Sequence, residues 1–481
     1  MPHTGTKSTE ILLKKIREGE PLNLRRQLRL TFLLSFPAVI AQLSSIAMQY
    51  IDASMVGSLG ANASASIGLI TTTTWLFWGI CSAAVSGFSV QVAHLIGAGE
   101  FSKARSVLRQ SLTAMAVFST MLAFIGVVIS SPLPGWLGGD LSIRDHASNY
   151  FLIFSLFLPV LQMSFLAGSM LRCSGNMKIP SILNVLMCIL DVVFNFFLIF
   201  PSRQIHFCGI DIFVPGAGLG VEGAALGTVF AELVVAMLMV YYLCWRSDML
   251  KIVGERGSYR VKADIMTKAV RIGLPMGLEH IAICSAQIIL TIIVAPLGIV
   301  AIAANAFAII AESLCYMPGY GIGEAATTLS GQCLGAGRIR LMRRFGNITV
   351  ISAMIIMGCM GLILYVAAPA IIGVMTPVDE IRDLGAAILR IEAFAEPMFA
   401  ASIVAYGYFV GMGRTVLPSI MNMASIWGVR ITLAAILAPV MGLKGVWVAM
   451  CIELCVRGTL FLILLWCPPR IVSQTKQEKL S

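Results

Sequence analysis

Residues 29–55 read RLTFLLSFPAVIAQLSSIAMQYIDASM, an apolar run with one arginine at its start and one aspartate near its end. As a helix rising ~1.5 Å per residue, such a run outspans a hydrocarbon core of ~30 Å. Comparable runs follow at 62–96, 103–131, 147–171, 178–201, 219–246, 265–294, 301–333, 345–368, 381–411, 416–438 and 442–467. The pattern predicts an all-α integral membrane protein of twelve transmembrane helices. Composition agrees, with 58% hydrophobic and 12% charged residues. A soluble domain carries about 25% charge, so here there is too little polar surface to cover a globule in water.

The opening run has a counterpart. Residues 267–293, 238 positions on, read TKAVRIGLPMGLEHIAICSAQIILTII, so Pro37 falls on Pro275 and Gln49 on Gln287. The same offset carries Val56 onto Val294, Leu59-Gly60 onto Leu297-Gly298 and Gly97-Ala98-Gly99 onto Gly335-Ala336-Gly337. It also carries Gly175, Pro180 and Asn184 onto Gly413, Pro418 and Asn422. Apolar blocks match by chance, but a fixed offset through Pro, Gln, Gly and Asn does not. Residues 201–217 have no counterpart, and Gly220 and Gly223 then match Gly442 and Gly445 at 222.

The repeat gives two six-helix lobes, 29–246 and 265–467. Six helices each means that both lobes start on the same side. A pseudo-two-fold axis along the membrane normal therefore relates them, as in transporters with a central site. Residues 1–28 are expected as a cytoplasmic N-terminal segment, 247–264 as a cytoplasmic linker and 468–481 as a cytoplasmic tail. The lead before the first run is too long and too charged for a signal peptide.

Charge sorts the loops. Arg25, Arg26 and Arg29, then Lys103, Arg105 and Arg109, then Arg172 and Lys178 lie in alternate loops. Arg246, Lys251, Arg256, Arg260, Lys262, Lys268 and Arg271 continue the series, then Arg338, Arg340, Arg343 and Arg344, Arg414, and finally Arg470 and Lys476. Residues 56–61 and 295–300 hold no charge, and 369–383 mixes Asp379, Glu380, Arg382 and Asp383. The positive-inside rule puts both termini in the cytoplasm. The net charge of +10 is a topology signal and not a nucleic-acid footprint. Cys188, Cys284 and Cys451 lie inside apolar runs without metal spacing and read as small buried residues.

An ionisable side chain at the bilayer centre costs ~2.5–3.5 kcal/mol, so each one can be weighed. Gln42, Ser45, Gln49 and Asp52 form one helical stripe, which should face the protein interior or water. Asp52 is then a cation or proton site, or else a cap near the helix end before Gly57. Asn184, Asp191 and Asn195 share a face of the fifth span and offer oxygens to a proton or to Na⁺. The bland alternative is an interhelical clamp worth ~0.6 kcal/mol per bond.

In the second lobe Glu279 and Gln287 are candidates for the substrate cavity, with Gln42 and Met48 in the first. Met163, Met170 and Phe165 are candidates for an adaptable greasy wall. Glu312, Glu324 and Glu396 either pair internally or face a vestibule, while Glu232 and Glu453 are expected to reach toward interfaces. Pro37 breaks a backbone hydrogen bond mid-helix and is either a static bend or a hinge.

There is no P-loop, H-E-x-x-H or G-x-S-x-G motif, and His3, His94, His146, His206 and His280 are scattered. No catalytic residue, cofactor or resident metal is expected.

FPAVIAQLSSIAMQYIDASMVGSLG at 36–60, GAGEFSKAR at 97–105, RCSGNMKIP at 172–180, GQCLGAG at 331–337 and GMGRTVLP at 411–418 together resemble the multidrug and toxic compound extrusion (MATE) family. The resemblance covers about 29–467. It implies a cytoplasmic (inner) membrane exporter of small organic molecules, cationic or amphipathic, that acts as a monomer. Substrate would leave as H⁺ or Na⁺ enters, by a rocker switch between inward- and outward-open states.

It also implies that Asp52 binds the coupling cation, with Gln49, Asn184, Asp191 and Asn195 near it and transient Na⁺ at Asp52, Asp191 and Asn195. Many relatives have Asn followed four residues later by Asp; here the order is Asp191 then Asn195. No acidic residue lies between Ala401 and Gly413, which moves the expected cation site to the first lobe.

Other classes fit less well. A flippase of lipid-linked sugars would want a basic cavity, yet Arg430 and Arg457 are exceptions in otherwise Lys- and Arg-poor spans. A major-facilitator transporter would carry a D-R-x-G-R-R-type loop, and 97–109 reads differently. A membrane-embedded enzyme would need a nucleophile–base pair or a metal cluster.

Overall fold

The structure is a computed structural model that describes residues 4–207 and 210–467. His3, the tail 468–481 with Arg470 and Lys476, and the side chain of His206 lie outside what it describes.

The chain is almost wholly helical: α1 (Thr4–Arg17), α2 (Leu24–Gly57), α3 (Ala61–Gly97), α4 (Phe101–Ser130), a short α5 (Leu133–Trp136), α6 (Leu141–Leu156), α7 (Leu158–Cys173) and α8 (Lys178–Leu198). Strands β1 (Pro201–Phe207) and β2 (Ile210–Ala217) follow, then α9 (Gly220–Tyr241), which runs into a π-helical turn at Tyr242–Arg246. The rest comprises α10 (Ala263–Val294), α11 (Ile299–Gly335), α12 (Ile339–Met375), α13 (Asp379–Ala393) and α14 (Glu396–Gly411). After α15 (Val416–Ser425) comes a π-helical stretch at Ile426–Ile431, then α16 (Thr432–Met441) and α17 (Leu443–Trp466).

Among the described residues ten helical segments are long and apolar enough to cross a membrane, and α6 with α7 makes an eleventh span bent by 49°. The remaining expected span, 381–411, is α13 plus α14. It is broken before Glu396, and Asp379, Glu380, Arg382, Asp383, Arg390 and Glu392 make α13 amphipathic. Three expectations need correction. Residues 147–171 are two helices, because Pro159 opens α7. The 201–217 loop is an antiparallel hairpin, with Ile205 opposite Ile212. The polar lead contains α1, whose Leu12, Leu13 and Ile16 are buried.

The repeat holds in three dimensions. Helices α3 and α11 both have 37 residues, α7 and α14 both have 16, and each pair starts 238 positions apart. Gly60 and Gly298 precede α3 and α11 with φ of 113° and 99°, a backbone region open to glycine and closed to most side chains. The register slips at the π-helical stretch. A β-carbon on Gly223 would meet Leu198 O at 2.5 Å, and one on Gly445 would meet Leu437 O at 2.4 Å. Leu198 and Leu437 are 239 apart, so Ile426–Ile431 absorbs one extra residue, as a π-bulge does.

The chain packs as two units. The N-unit is Leu43–Gly277, and the C-unit is Met1–Gln42 with Leu278–Ser481. Both α2 and α10 are therefore divided. In the N-unit the start of α10 lies on α3, where a β-carbon on Gly87 would sit 2.2 Å from Ala269 O. In the C-unit the start of α2 lies on α11, where one on Gly321 would sit 2.7 Å from Val39 N. Such approaches need small residues, the usual currency of helix packing in lipid. The N-unit core gathers Phe88, Val92, Leu108, Leu166, Met170 and Val235. The C-unit core gathers Ala304, Ala308, Leu364, Leu389 and Trp447.

Candidate functional site

In the N-unit, α2 brings Asp52 to the buried face of α8. Asp191 and Asn195 lie one turn apart there, and both are fully buried. The Asn195 Nδ2 donates to Asp52 Oδ1 at 2.9 Å and to Asp191 Oδ2 at 3.1 Å. One amide nitrogen has two hydrogens, so both are spent bridging the two carboxyl groups. Asp191 Oδ1 and the Asn195 carbonyl oxygen are buried without a hydrogen-bond partner. The set is thus rich in acceptors and short of positive charge, the chemistry that suits a proton or a hard monovalent cation.

Three of the five residues expected at a coupling site meet here. Asn184 stands two turns before Asp191, ~10 Å along the helix, half-buried and outside these bonds. Gln49 is exposed, as is Gln287, and Met48 is half-buried. Helix α2 runs unbroken through Pro37.

In the C-unit, Gln42 Nε2 reaches Glu324 Oε1 at 3.4 Å. Glu279 is 5% exposed. Tyr406 Oη donates to its Oε2 and Asn422 Nδ2 to its Oε1, each at 2.6 Å. Both oxygens are satisfied, and Asn422 is the repeat partner of Asn184. The Tyr406 contact carries no sequence signal, because it joins residues 127 apart.

Glu453 does not reach toward an interface. It is fully buried between Arg430, 2.6 Å away, and Arg457, 3.2 Å away. Ser425 Oγ donates to it at 2.6 Å. Glu232 is also buried. The two arginines that stood out in the sequence thus share one counter-charge. Only the i, i+4 spacing of Glu453 and Arg457 was legible beforehand. No group of three or more His, Cys, Asp or Glu among the described residues is placed to hold a metal ion.

The MatE family model matches residues 37–197 and 275–436, one stretch per half. The chain is 24% identical to the probable multidrug resistance protein NorM of Thermotoga maritima over 436 residues, covering 89% of this chain and 90% of that one. It is 24% identical to the multidrug resistance protein NorM of Burkholderia vietnamiensis over 456 residues, 93% of this chain and 94% of that one. Among solved structures, an outward-facing multidrug resistance MATE family transporter of the MOP superfamily superposes with a TM-score of 0.84 at 19% identity, over 94% of this chain and 97% of that one. The chain belongs to the MatE family: it is a multi-pass membrane transporter and not an enzyme.

Proposed function

We propose that this protein exports small organic molecules, cationic or amphipathic, from the cytoplasm in exchange for an inward-moving proton or sodium ion. The carrying observation is the single amide of Asn195 bridging two carboxyl groups. Two negative charges in one partly dry site repel strongly, so gain or loss of one cation alters which helices the site holds together. The multidrug resistance relatives support the cargo class. In this reading a rocker switch moves a monomer in the inner membrane, with both termini cytoplasmic, and the coupling ion is the only cofactor. The test is efflux of a fluorescent cation from everted vesicles and proteoliposomes under imposed H⁺ or Na⁺ gradients. Asp52→Asn is expected to abolish gradient-driven efflux with folding intact, and Asp191→Asn to weaken it or shift its pH optimum. Parental efflux by Asp52→Asn from pH 6 to 8, under both gradients, defeats the reading.

A further inference from the structure

The C-unit holds a second group of carboxyls that the repeat does not share. Glu312 on α11, Glu392 near the end of α13 and Glu396 at the start of α14 lie within electrostatic reach of one another. Glu392 and Glu396 are fully buried, and Glu312 is 7% exposed. All four carboxyl oxygens of Glu392 and Glu396 are buried without a hydrogen-bond partner. On α12, Gly361 leaves the room: a β-carbon there would lie 3.1 Å from Glu396 Cγ. In the first half the corresponding residues are Phe154 and Leu158, so the fold itself requires no acid at either position.

The charges do not balance. The cations facing the group are Arg430 and, from α17, Arg457, and both already contact Glu453. Arg390 turns outward to Tyr365 O at 3.2 Å. The other titratable neighbours are Cys315 on α11 and Cys451 and Cys455 on α17. Four carboxyl groups therefore face two guanidinium groups. A carboxylate with no hydrogen bond in an apolar setting is strongly disfavoured. One proton is satisfied by a single carboxyl group, whereas a hard cation draws on several oxygens at once.

We propose that Glu392 and Glu396, with Glu312, form a second proton-binding site, apart from Asp52 and Asp191, whose proton exchanges with solvent and moves in the transport cycle. The last clause rests on the exchange proposed above.

The test has two arms. Infrared spectroscopy of the purified full chain in Asp52→Asn/Asp191→Asn background follows the carboxylic-acid C=O band against pH. A titrating band is expected, diminished by Glu392→Gln or Glu396→Gln and lost in the double variant. Glu396→Leu and Glu392→Phe, the first-half residues, serve if the glutamines fail to fold. A band that is missing, unmoved by these variants or removed by Na⁺ at fixed pH overturns the site.

The second arm uses proteoliposomes containing chains with Asp52 and Asp191 intact. With a neutral substrate, a tenfold proton gradient should balance a substrate gradient of about 100-fold in the parent and about tenfold in Glu396→Leu. An unchanged balance overturns the transport share. A parent driven by Na⁺ alone overturns the transport share, and one driven by neither ion defeats exchange itself, while the infrared arm still decides the site.

Discussion

Gly227 on α9 faces Asn195 on α8 so closely that a β-carbon at 227 would lie 2.0 Å from Asn195 Oδ1 and 3.0 Å from its backbone nitrogen. The amide that bridges Asp52 and Asp191 is seated by a residue without a side chain. The second half supplies the control. With the one-residue slip, Ala434 stands where Asn195 stands, and Ala449 stands where Gly227 stands. Both alanines are buried in the C-unit core. The glycine accompanies the amide and is not a requirement of the fold.

Gly227→Ala should therefore push Asn195 out of its bridge. Overpacking of this kind costs about 1–3 kcal/mol, and gradient-driven efflux should fall about tenfold or more. Gly227→Ala with Asn195→Ala, the pair used in the other half, should recover the detergent melting temperature but not efflux. Normal efflux by the single variant would show that the bridge is dispensable.

Asp140 caps α6, accepting a hydrogen bond from Ser142 N at 2.9 Å. That bond, with Arg144 nearby, holds its carboxyl below the usual carboxylate range. A depressed acid contributes stability above its unfolded pKa of ~3.9, and the contribution fades as pH falls through the lower native value. Protection of the amides at 141–146, taken relative to the intrinsic exchange rate at each pH, should fall in the parent as the pH is lowered below about 4. In Asp140→Ala it should be low at every pH. Equal protection in both proteins at pH 7 would remove the cap from the account.

How much of this was legible beforehand depended on how local each feature is. The repeat could be read because Pro, Gly and Asn positions are sparse, and their register survives as the paired starts of α3 and α11. Asp191 and Asn195 are one turn apart, so their shared face followed from helical period alone. Asp52, 143 residues from Asn195, could be placed beside them only through the family resemblance. Pro159 and Pro397 marked first-turn positions, but apolar runs on both sides hid the breaks before α7 and α14. The π-helical stretch has no proline or glycine pair to announce it. For Glu396 internal burial was one of two open alternatives, and Glu392 was not singled out, because only the packing of α11, α13 and α14 brings the two together with Glu312.

The 201–217 hairpin should lie on the external side and the 247–262 segment in the cytoplasm. Arg203 tops the Phe196 and Phe200 rings at 4.7 and 4.1 Å, an anchor between the end of α8 and β1. Thiol labelling with a membrane-impermeant reagent, on a cysteine-free background with single cysteines at Ser202 and Ser258, reads both. Ser202→Cys should label from outside intact cells, and Ser258→Cys only after permeabilisation. Both reacting from one side would contradict the single span, α9, that separates them.

Glu453 settles what the two C-unit arginines are for. It is fully buried and contacts both. In the N-unit the corresponding residues are Ala231 for Glu453 and Val235 for Arg457, so an apolar solution to the same packing exists. Removing one partner of a buried ion pair typically costs about 3–5 kcal/mol, whereas replacing the whole group with apolar residues is often neutral or better. Glu453→Gln leaves two guanidinium groups facing each other and should lower the melting temperature most. Arg457→Val alone should cost less, because Arg430 keeps its contact with Glu453. The combination Glu453→Ala, Arg457→Val and Arg430→Leu should regain stability over Glu453→Gln. Melting temperatures of the parent and the three variants in one detergent decide the matter. If Glu453→Gln melts like the parent, the pair does not carry that cost, and the two arginines must be balanced by Glu312 and Glu392 instead.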